Sequence, residues 1–235
     1  MIKIGYCSAG KQDDLHELLS SHPIFHPARE DVPGGPKAKR CPSFNTYVLS
    51  AFNVGIAYDM KFRVRQTENK QHFVEYDRKE TTLPEPSLPN AVSLEDFEEG
   101  IIQLPLIPFW MFISDEPGVV MTVQAAQGQT NPEPIRGQLN IYDWIRPSSY
   151  AFRATLDEWV TIKKSSPIYQ VKFFHPNETY FTLSECEKTD DIFRLEQYKN
   201  IHSVVGSNSL SKWKEIWEFN RKRRPKKLLN FLEDK

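Results

Sequence analysis

The chain has 235 residues, of which 39% are hydrophobic and 26% charged, so it contains enough apolar side chains for a buried core, and disorder of the whole chain is not expected. Its 30 Lys and Arg residues balance its 31 Asp and Glu residues, which leaves a formal charge of −1. Without a basic excess, nucleic-acid binding through bulk electrostatics is not expected. The three cysteines are widely separated and odd in number, which favours a reducing compartment over a disulfide framework.

The chain also lacks the sequence signals of export and membrane insertion. Its first residues do not contain the long apolar run of a signal peptide. The longest apolar stretch, Leu104 to Ile113, is interrupted by Pro105 and Pro108 and is too short to cross a bilayer. We therefore expect a cytoplasmic protein that has no membrane partner.

The first part of the chain is predicted to contain a strand, a loop and a helix. Apolar and polar residues alternate from Met1 to Tyr6, which predicts a short strand. The stretch from Ser20 to Pro36 is rich in His, Pro and Gly and is predicted to be a surface loop. Apolar residues fall at helical spacing from Ser43 to about Phe52, directly after Pro42, and predict a short helix there.

The clearest strand signal follows that helix. Four apolar residues alternate with charged residues, so one face of the strand is predicted to be buried and the other to meet solvent. The apolar residues are Tyr58, Met60, Phe62 and Val64. After a polar turn at Thr67 to Gln71, the segment Phe73 to Tyr76 is predicted to complete a hairpin.

Beyond residue 100 the pattern predicts strands almost throughout. The turn sequence Asp115 to Gly118 separates Leu104–Ile113 from Val119–Ala125. The later predicted strands are Gln138 to Tyr142, Tyr150 to Leu156, Trp159 to Ile162, Ile168 to Phe174 and Tyr180 to Leu183. This series of short strands predicts a mainly β fold with a sandwich, barrel or β-clip-like core.

The end of the chain is predicted to be helical. An apolar stripe from Leu210 to Trp217 follows a cluster of capping residues, and a second helix is predicted from Pro225 to Leu232. We interpret residues 1–235 as one compact unit. A proline-rich crossing at residues 84–89 suggests sub-domains at 1–83 and 100–206, followed by a helical tail at 207–235.

Cys41 is the first candidate site residue. It follows Lys39 and Arg40 and precedes the predicted helix, and two cations beside a helix N-terminus would lower the pKa of a thiol and make it more nucleophilic. The alternative is a small buried residue that closes the preceding loop against the helix, since the sequence identifies no base to serve as its partner.

A second candidate site lies in the predicted break between two strands. Asp143, Trp144 and Arg146 lie close together there in the sequence. An Asp, an Arg and an aromatic residue on one loop can form a ligand site in which the Arg binds an anion. The same residues can also form an Arg–Asp pair that fixes a corner beneath a buried Trp.

The densest charge in the chain is a basic run near its end. The run comprises Arg221, Lys222, Arg223, Arg224, Lys226 and Lys227. It could bind nucleic acid or an acidic partner, or it could be a solvated junction between the two terminal helices. Nucleic acid is expected as a partner only through this run.

The sequence contains no established catalytic, metal or cofactor motif. There is no phosphate-binding glycine loop, no nucleophile elbow and no zincin helix. His22 and His26 are four residues apart, but Pro23 between them makes a shared helical face improbable, and a zinc site needs closely paired ligands. We predict no metal and no cofactor, and the missing motifs favour a non-catalytic protein.

Three segments together resemble an uncharacterised family of tailed bacteriophages that has distant bacterial relatives. The segments are Lys39–Phe44, Arg136–Pro147 and Val160–Phe173. The resemblance covers about Ile2 to Leu232 and implies a β-rich phage protein. It assigns no activity and no catalytic residue.

A second, local similarity concerns Gln138 to Phe174, which is similar to the β-clip core of trimeric deoxyuridine triphosphatases. Asp143 and Arg146 loosely match that family's Asp-Tyr-Arg-Gly turn, but Pro147 stands where the family has Gly. The family's Pro-Arg-Ser-Gly phosphate motif has no counterpart here. The similarity therefore implies a related sheet topology rather than nucleotide hydrolysis.

Two functional hypotheses follow from these patterns. The preferred one is a phage-encoded, non-catalytic β protein that acts through protein contacts or self-association, in the host cytoplasm or in a virion. The alternative is a small-molecule- or nucleotide-binding β-clip or cupin-like domain with hydrolase activity, in which Cys41, Asp143, Trp144 and Arg146 line a pocket.

Overall fold

Strands dominate the secondary structure that the computed structural model describes. The described residues are 1–8, 25–28, 50–56, 58–85, 88, 91–92, 94, 100–103, 110–126, 134–145, 151–164, 166–195, 218 and 221–232. The strands in these ranges are β1 (Ile2–Ser8), β2 (Phe25–Pro27), β3 (Ala51–Val54), β4 (Met60–Gln66), β5 (His72–Tyr76), β6 (Ile101–Gln103), β7 (Trp110–Ile113), β8 (Val120–Gln124), β9 (Gly137–Asn140), β10 (Ala151–Arg153), β11 (Val160–Ile162), β12 (Tyr169–Phe174) and β13 (Phe181–Glu185).

The described strands form four sheets. Their strand orders are β13-β1-β7, β10-β6, β11-β4-β5 and β2-β3-β12-β8-β9. The pairings between the described strands are antiparallel except that of β1 with β13, which is parallel. Strands from the first third of the chain thus pair with strands that follow residue 100: β1 with β7 and β13, β3 with β12, and β4 with β11.

All four sheets contribute side chains to one apolar core. Its fully buried aromatic residues include Phe62 from β4, Phe112 from β7, Phe152 from β10 and Phe173 from β12. Because each of these strands presents alternate residues to the core, the sheets pack face to face. The prediction of a mainly β, sandwich-like fold is confirmed, and none of the described sheets closes into a barrel.

The predicted hairpin after residue 58 is confirmed as β4 and β5. Phe62 lies opposite Tyr76 and Val64 opposite Val74, with these side chains on the core side. The turn closes through the Thr67 N–H, which donates to the carbonyl of Gln71 at 2.8 Å. Charged residues at alternate positions of β4 leave the other side of this sheet exposed to solvent.

Two predictions for the N-terminal part are wrong in the residues that the structure describes. Ala51 and Phe52, the predicted end of a helix, belong to β3, because β12 and β2 supply hydrogen-bonding neighbours on both sides. Residues 43–49 of that predicted helix lie outside the described residues. The predicted surface loop at Ser20 to Pro36 contains β2, and Ala28 next to it is buried.

The predicted second C-terminal helix, Pro225 to Leu232, is also wrong. The backbone N–H groups of Leu228 and Leu229 donate to the carboxylate of Asp115 instead of to carbonyls one helical turn earlier. Phe231 then forms a β-bridge with Cys186. Within the predicted tail, the described helical residues are 218 and 221–223, and the predicted helix at residues 210–217 lies outside the described residues.

A helical segment at residues 190–195 was not predicted from the sequence. Thr189 caps it, because the hydroxyl of Thr189 accepts from the N–H of Ile192 at 3.4 Å. Asp190 and Asp191 follow in the first turn, where carboxylates interact favourably with the helix dipole. This Thr-Asp-Asp sequence was the signal that could have identified the helix.

The largest sheet contains a row of amide side chains that crosses three strands. Gln170 on β12 lies opposite Asn53 on β3 and Gln124 on β8. The Nε2 of Gln170 donates to Asn53 Oδ1 at 3.0 Å, and its Oε1 accepts from Gln124 Nε2 at 2.8 Å. Because Asn53 and Gln170 are fully buried, a shift in register would separate buried polar groups from these partners.

Replacing Gln170 with Leu is expected to lower the free energy of unfolding by about 1–3 kcal/mol, because Asn53 loses a donor and Gln124 loses an acceptor. Urea denaturation of the purified protein measures the change. Gln138→Leu, at an exposed position of β9 in the same sheet, is the matched control and should have little effect. Equal losses in both variants would contradict the importance of the row.

Candidate functional site

The solvent side of the sheet β11-β4-β5 carries an unusual combination of exposed aromatic and cationic side chains. We call it the Trp159 face and define it by Lys61, Arg63, Arg65, Phe73, Glu75, Asp77, Asp157 and Trp159. Lys61, Arg63 and Arg65 alternate along β4 with the core residues, so all three project from the same side of the strand. Strand pairing places Glu75 opposite Arg63 and Phe73 opposite Arg65.

Each cation that β4 contributes to this face has a carboxylate partner. Arg63 binds Glu75 through two hydrogen bonds, from Nε at 3.1 Å and from Nη2 at 3.0 Å. Arg65 also contacts Glu75, at 3.2 Å, and its Nε lies 3.3 Å from Asp157. Lys61 lies 3.3 Å from Asp77. The three cations are therefore paired with carboxylates of the same face.

The pKa values of the paired groups shift in the directions that this geometry requires. The hydrogen bond from Arg63 holds the pKa of the Glu75 carboxyl below its usual range. The hydrogen bond to Glu80 raises the pKa of Lys61. Both of these groups therefore stay charged around neutral pH.

Two aromatic side chains on this face are open to solvent. Trp159, which directly precedes β11, is 36% exposed, and Phe73 on β5 is 44% exposed. The guanidinium of Arg63 lies over the Trp159 ring, 4.5 Å from its centroid, and the Lys61 ammonium is 5.3 Å from the same centroid. The two cations thus pack against the Trp159 indole, and part of the ring remains accessible to solvent.

The basic run near the end of the chain contains both exposed and buried side chains. Arg221, Lys222, Arg223, Lys226 and Lys227 are exposed. The side chain of Arg224 is only 3% exposed, and its Nη2 lies 2.8 Å from Asp115 Oδ1. The same guanidinium donates to the carbonyls of Tyr142 and Ser114. Arg224 therefore anchors the C-terminal segment and is not presented to a ligand.

The predicted loop site is described only in part. Asp143 accepts a hydrogen bond from the Asn140 amide at 2.9 Å, and the N–H groups of Tyr142 and Asp143 donate back to Asn140 Oδ1. Asp143 and Trp144 are half-buried in this turn. Cys41 and Arg146 lie outside the described residues, so the convergence of the four residues on a pocket stays a prediction.

An Arg–Asp pair other than the predicted Asp143 and Arg146 packs against this loop. The arginine involved is Arg224, its carboxylate partner is Asp115, and its guanidinium stacks on the Tyr142 ring at 4.3 Å. Residue spacing could not reveal this pair because more than a hundred positions separate the two side chains. Among the described residues, no group of three or more His, Cys, Asp or Glu is arranged to hold a metal ion.

Comparison with known proteins provides no further guide to the site. No protein-family model, no curated protein and no solved structure matches the chain. In the part of the chain that the structure describes, no helix has the length and apolar character needed to span a membrane.

Proposed function

We propose that this chain is a non-catalytic, phage-encoded β protein that binds another protein through the Trp159 face. The observation that carries the proposal is the exposure of Trp159 and Phe73 on a paired sheet among matched charges. Trp and Arg are enriched at the centres of protein interfaces, where a few such residues provide most of the binding free energy. We place the protein in the host cytoplasm or in a virion.

The charge pattern supports a protein partner over a nucleic acid. Phosphate backbones are held by cations whose counterions are released on binding. On this face Arg63, Arg65 and Lys61 already have carboxylate partners, and Glu75 and Asp157 would repel phosphates. A protein surface that is neutral overall and partly apolar can cover the two aromatic rings without breaking those pairs.

The alternative function, a small-molecule- or nucleotide-binding β-clip or cupin-like domain, has less support. It requires Cys41, Asp143, Trp144 and Arg146 to line one pocket. The Asp143 carboxylate is instead engaged by the Asn140 amide in its own turn. No observation in the described residues favours a bound ligand at that loop over a structural role.

The proposal is tested by locating the contact and then weakening it. A photo-activatable amino acid at position 73 should cross-link one protein, which mass spectrometry then identifies as a different chain or a second copy. Trp159→Ala should then weaken binding of that partner by about 2 kcal/mol, or roughly 30-fold in Kd, because the exposed indole is the expected centre of the contact. Calorimetric titration of the purified pair measures the change.

Phe174 provides the matched control. It is also an exposed aromatic, at 60%, but it lies on β12 in a different sheet. A photo-activatable residue at position 174 should not cross-link the same partner, and Phe174→Ala should leave Kd unchanged. Circular dichroism establishes that each variant folds, and Phe73→Ala replaces Trp159→Ala if the latter does not. Cross-linking at both positions alike, or unchanged affinity without the indole, would refute the proposed surface.

A further inference from the structure

β1 lies in the middle of the sheet β13-β1-β7 and has an apolar neighbourhood on both sides. Ile4 belongs to the main core, whereas Cys7 belongs to a second cluster of buried residues on the opposite side of the strand. The other buried members of this second cluster are Met111, Ile113, Ile145, Cys186, Ile192, Leu195, Leu228 and Leu229. Two of the three cysteines of the chain thus share one small apolar cluster.

Strand register brings these two cysteines side by side. The parallel pairing of β1 and β13 reaches Tyr6 opposite Glu185, so Cys7 and Cys186 are the next residues on the two strands. The Cys186 N–H donates to the Tyr6 carbonyl at 3.0 Å, which continues the ladder to this position. Neighbouring strands are about 4.8 Å apart, within the roughly 4.4–6.8 Å between Cα atoms that a disulfide spans.

The two thiols are free and buried, and both belong to the second apolar cluster. Cys7 is 4% exposed and Cys186 is 2% exposed. The Cys186 Sγ lies 3.4 Å from the Tyr6 carbonyl oxygen. The neighbouring Cys7 thiol and the burial of the group raise the pKa of the Cys186 thiol, which keeps it protonated and slow to react while it is covered.

We propose that Cys7 and Cys186 form a reversible disulfide when the protein meets a small-molecule disulfide oxidant. One cysteine loses its proton and attacks the oxidant as a thiolate, which gives a mixed disulfide and releases one small-molecule thiol. The second cysteine then displaces the other half of the oxidant as a second thiol and completes the Cys7–Cys186 bond. The protein loses two electrons and two protons, and the oxidant gains both.

The apolar surroundings favour this product. A dithiol and a disulfide are both uncharged, so neither places an uncompensated charge beside Met111 and Ile113. A metal ion held by two thiolates would place several charges in the same apolar cluster. The site is therefore better suited to exchange between the dithiol and the disulfide than to a bound cation.

The C-terminal segment determines access to the two sulfur atoms. It continues from the Arg224 anchor, and Leu229 packs so closely on β1 that a Cβ added at Gly5 would lie 2.5 Å from its Cδ2. The Leu232 N–H donates to the Glu185 carbonyl at 3.1 Å, and Phe231 bridges to Cys186. Among the described residues this segment packs directly on Cys186, so we expect its local opening to expose the sulfur and to set the oxidation rate.

The test uses the Cys41→Ser protein, so that Cys7 and Cys186 are the only thiols. Oxidised glutathione should convert it to a species that is lighter by two hydrogens, and peptide mass spectrometry should show the Cys7–Cys186 link. Dithiothreitol should reverse the reaction. Arg224→Ala in the same background should oxidise at least about tenfold faster, because loss of the anchor favours the open segment. The Tm of the oxidised form should be higher, because the link closes a very long loop.

A stable glutathione adduct on a single cysteine, or a covalent dimer, would overturn the proposal. So would an Arg224→Ala protein that folds yet keeps both thiols reduced. Phe231→Ala, which uncovers the same position by a smaller change, replaces Arg224→Ala if that variant does not fold. If neither the Arg224→Ala nor the Phe231→Ala protein folds, prolonged oxidation of the Cys41→Ser protein tests the proposal. The Cys7–Cys186 link must still form there, at a lower rate.

Discussion

Replacing Asp115 with Ala is expected to lower the free energy of unfolding by about 3 kcal/mol, the lower end of the range for one partner of a buried ion pair, because the Asp115 side chain is itself 27% exposed. The Asp115 carboxylate accepts from Arg224 Nη2 at 2.8 Å and from the N–H groups of Leu228 and Leu229, each at 3.0 Å. Its loss leaves the Arg224 side chain, which is only 3% exposed, without this carboxylate and frees the C-terminal segment. Burial already lowers the pKa of Arg224 despite the nearby carboxylate.

Urea denaturation with a two-state fit measures this loss. Asp191→Ala is the matched control, because Asp191 pairs with Arg194 at 2.7 Å in an exposed position and should contribute less than about 1 kcal/mol. The double variant Asp115→Ala/Arg224→Met should recover part of the stability, since it removes the stranded charge as well. A loss in Asp115→Ala no greater than in the control would show that the anchor is unimportant.

Phe173→Ala should destabilise the protein by a similar amount, about 3–5 kcal/mol, through the cavity that it leaves. Phe173 is 1% exposed, and its ring centroid lies 6.0 Å from those of Phe52 and Phe112 and 5.9 Å from that of Phe181. These partners belong to β3, β7 and β13, so one side chain connects two sheets across the core.

The control for this prediction is the adjacent residue on the same strand. Phe174 projects from the opposite face of β12 and is 60% exposed, so Phe174→Ala should change the free energy of unfolding by less than about 0.5 kcal/mol. Thermal and urea unfolding of the two variants provide the comparison. Similar losses at both positions would contradict the assignment of the core side of β12.

Strands with strong alternation could be predicted from the sequence, and elements determined by distant partners could not. β4 and β12 alternate regularly or are rich in aromatic residues, and both were located to within a few residues. β3 was mistaken for the end of a helix because four residues are too few to separate the two periods, and its neighbours on both sides decide its conformation. The conformation of residues 225–232 is determined by hydrogen bonds to the distant carboxylate of Asp115 and not by the helical propensity of the segment.

The candidate site could likewise be predicted only in part. Trp159 was predicted to begin a strand, and the alternation of cations on β4 was recognised, but neither observation showed that the two would meet. Their contact depends on β11 lying beside β4, a pairing that nearly a hundred intervening residues hide from any local pattern. Cys7 and Cys186 were likewise taken to be far apart, which is true in sequence but not across the parallel pair β1 and β13.

That parallel pair also has a consequence for synthesis of the protein. β1 leaves the ribosome before β13, which begins only at Phe181. At roughly 5–20 residues per second, β1 waits on the order of ten to forty seconds for this neighbour. During translation its hydrogen-bonding groups and apolar side chains must be kept from other nascent chains, so we expect the completed fold to form late, after most of the chain has emerged.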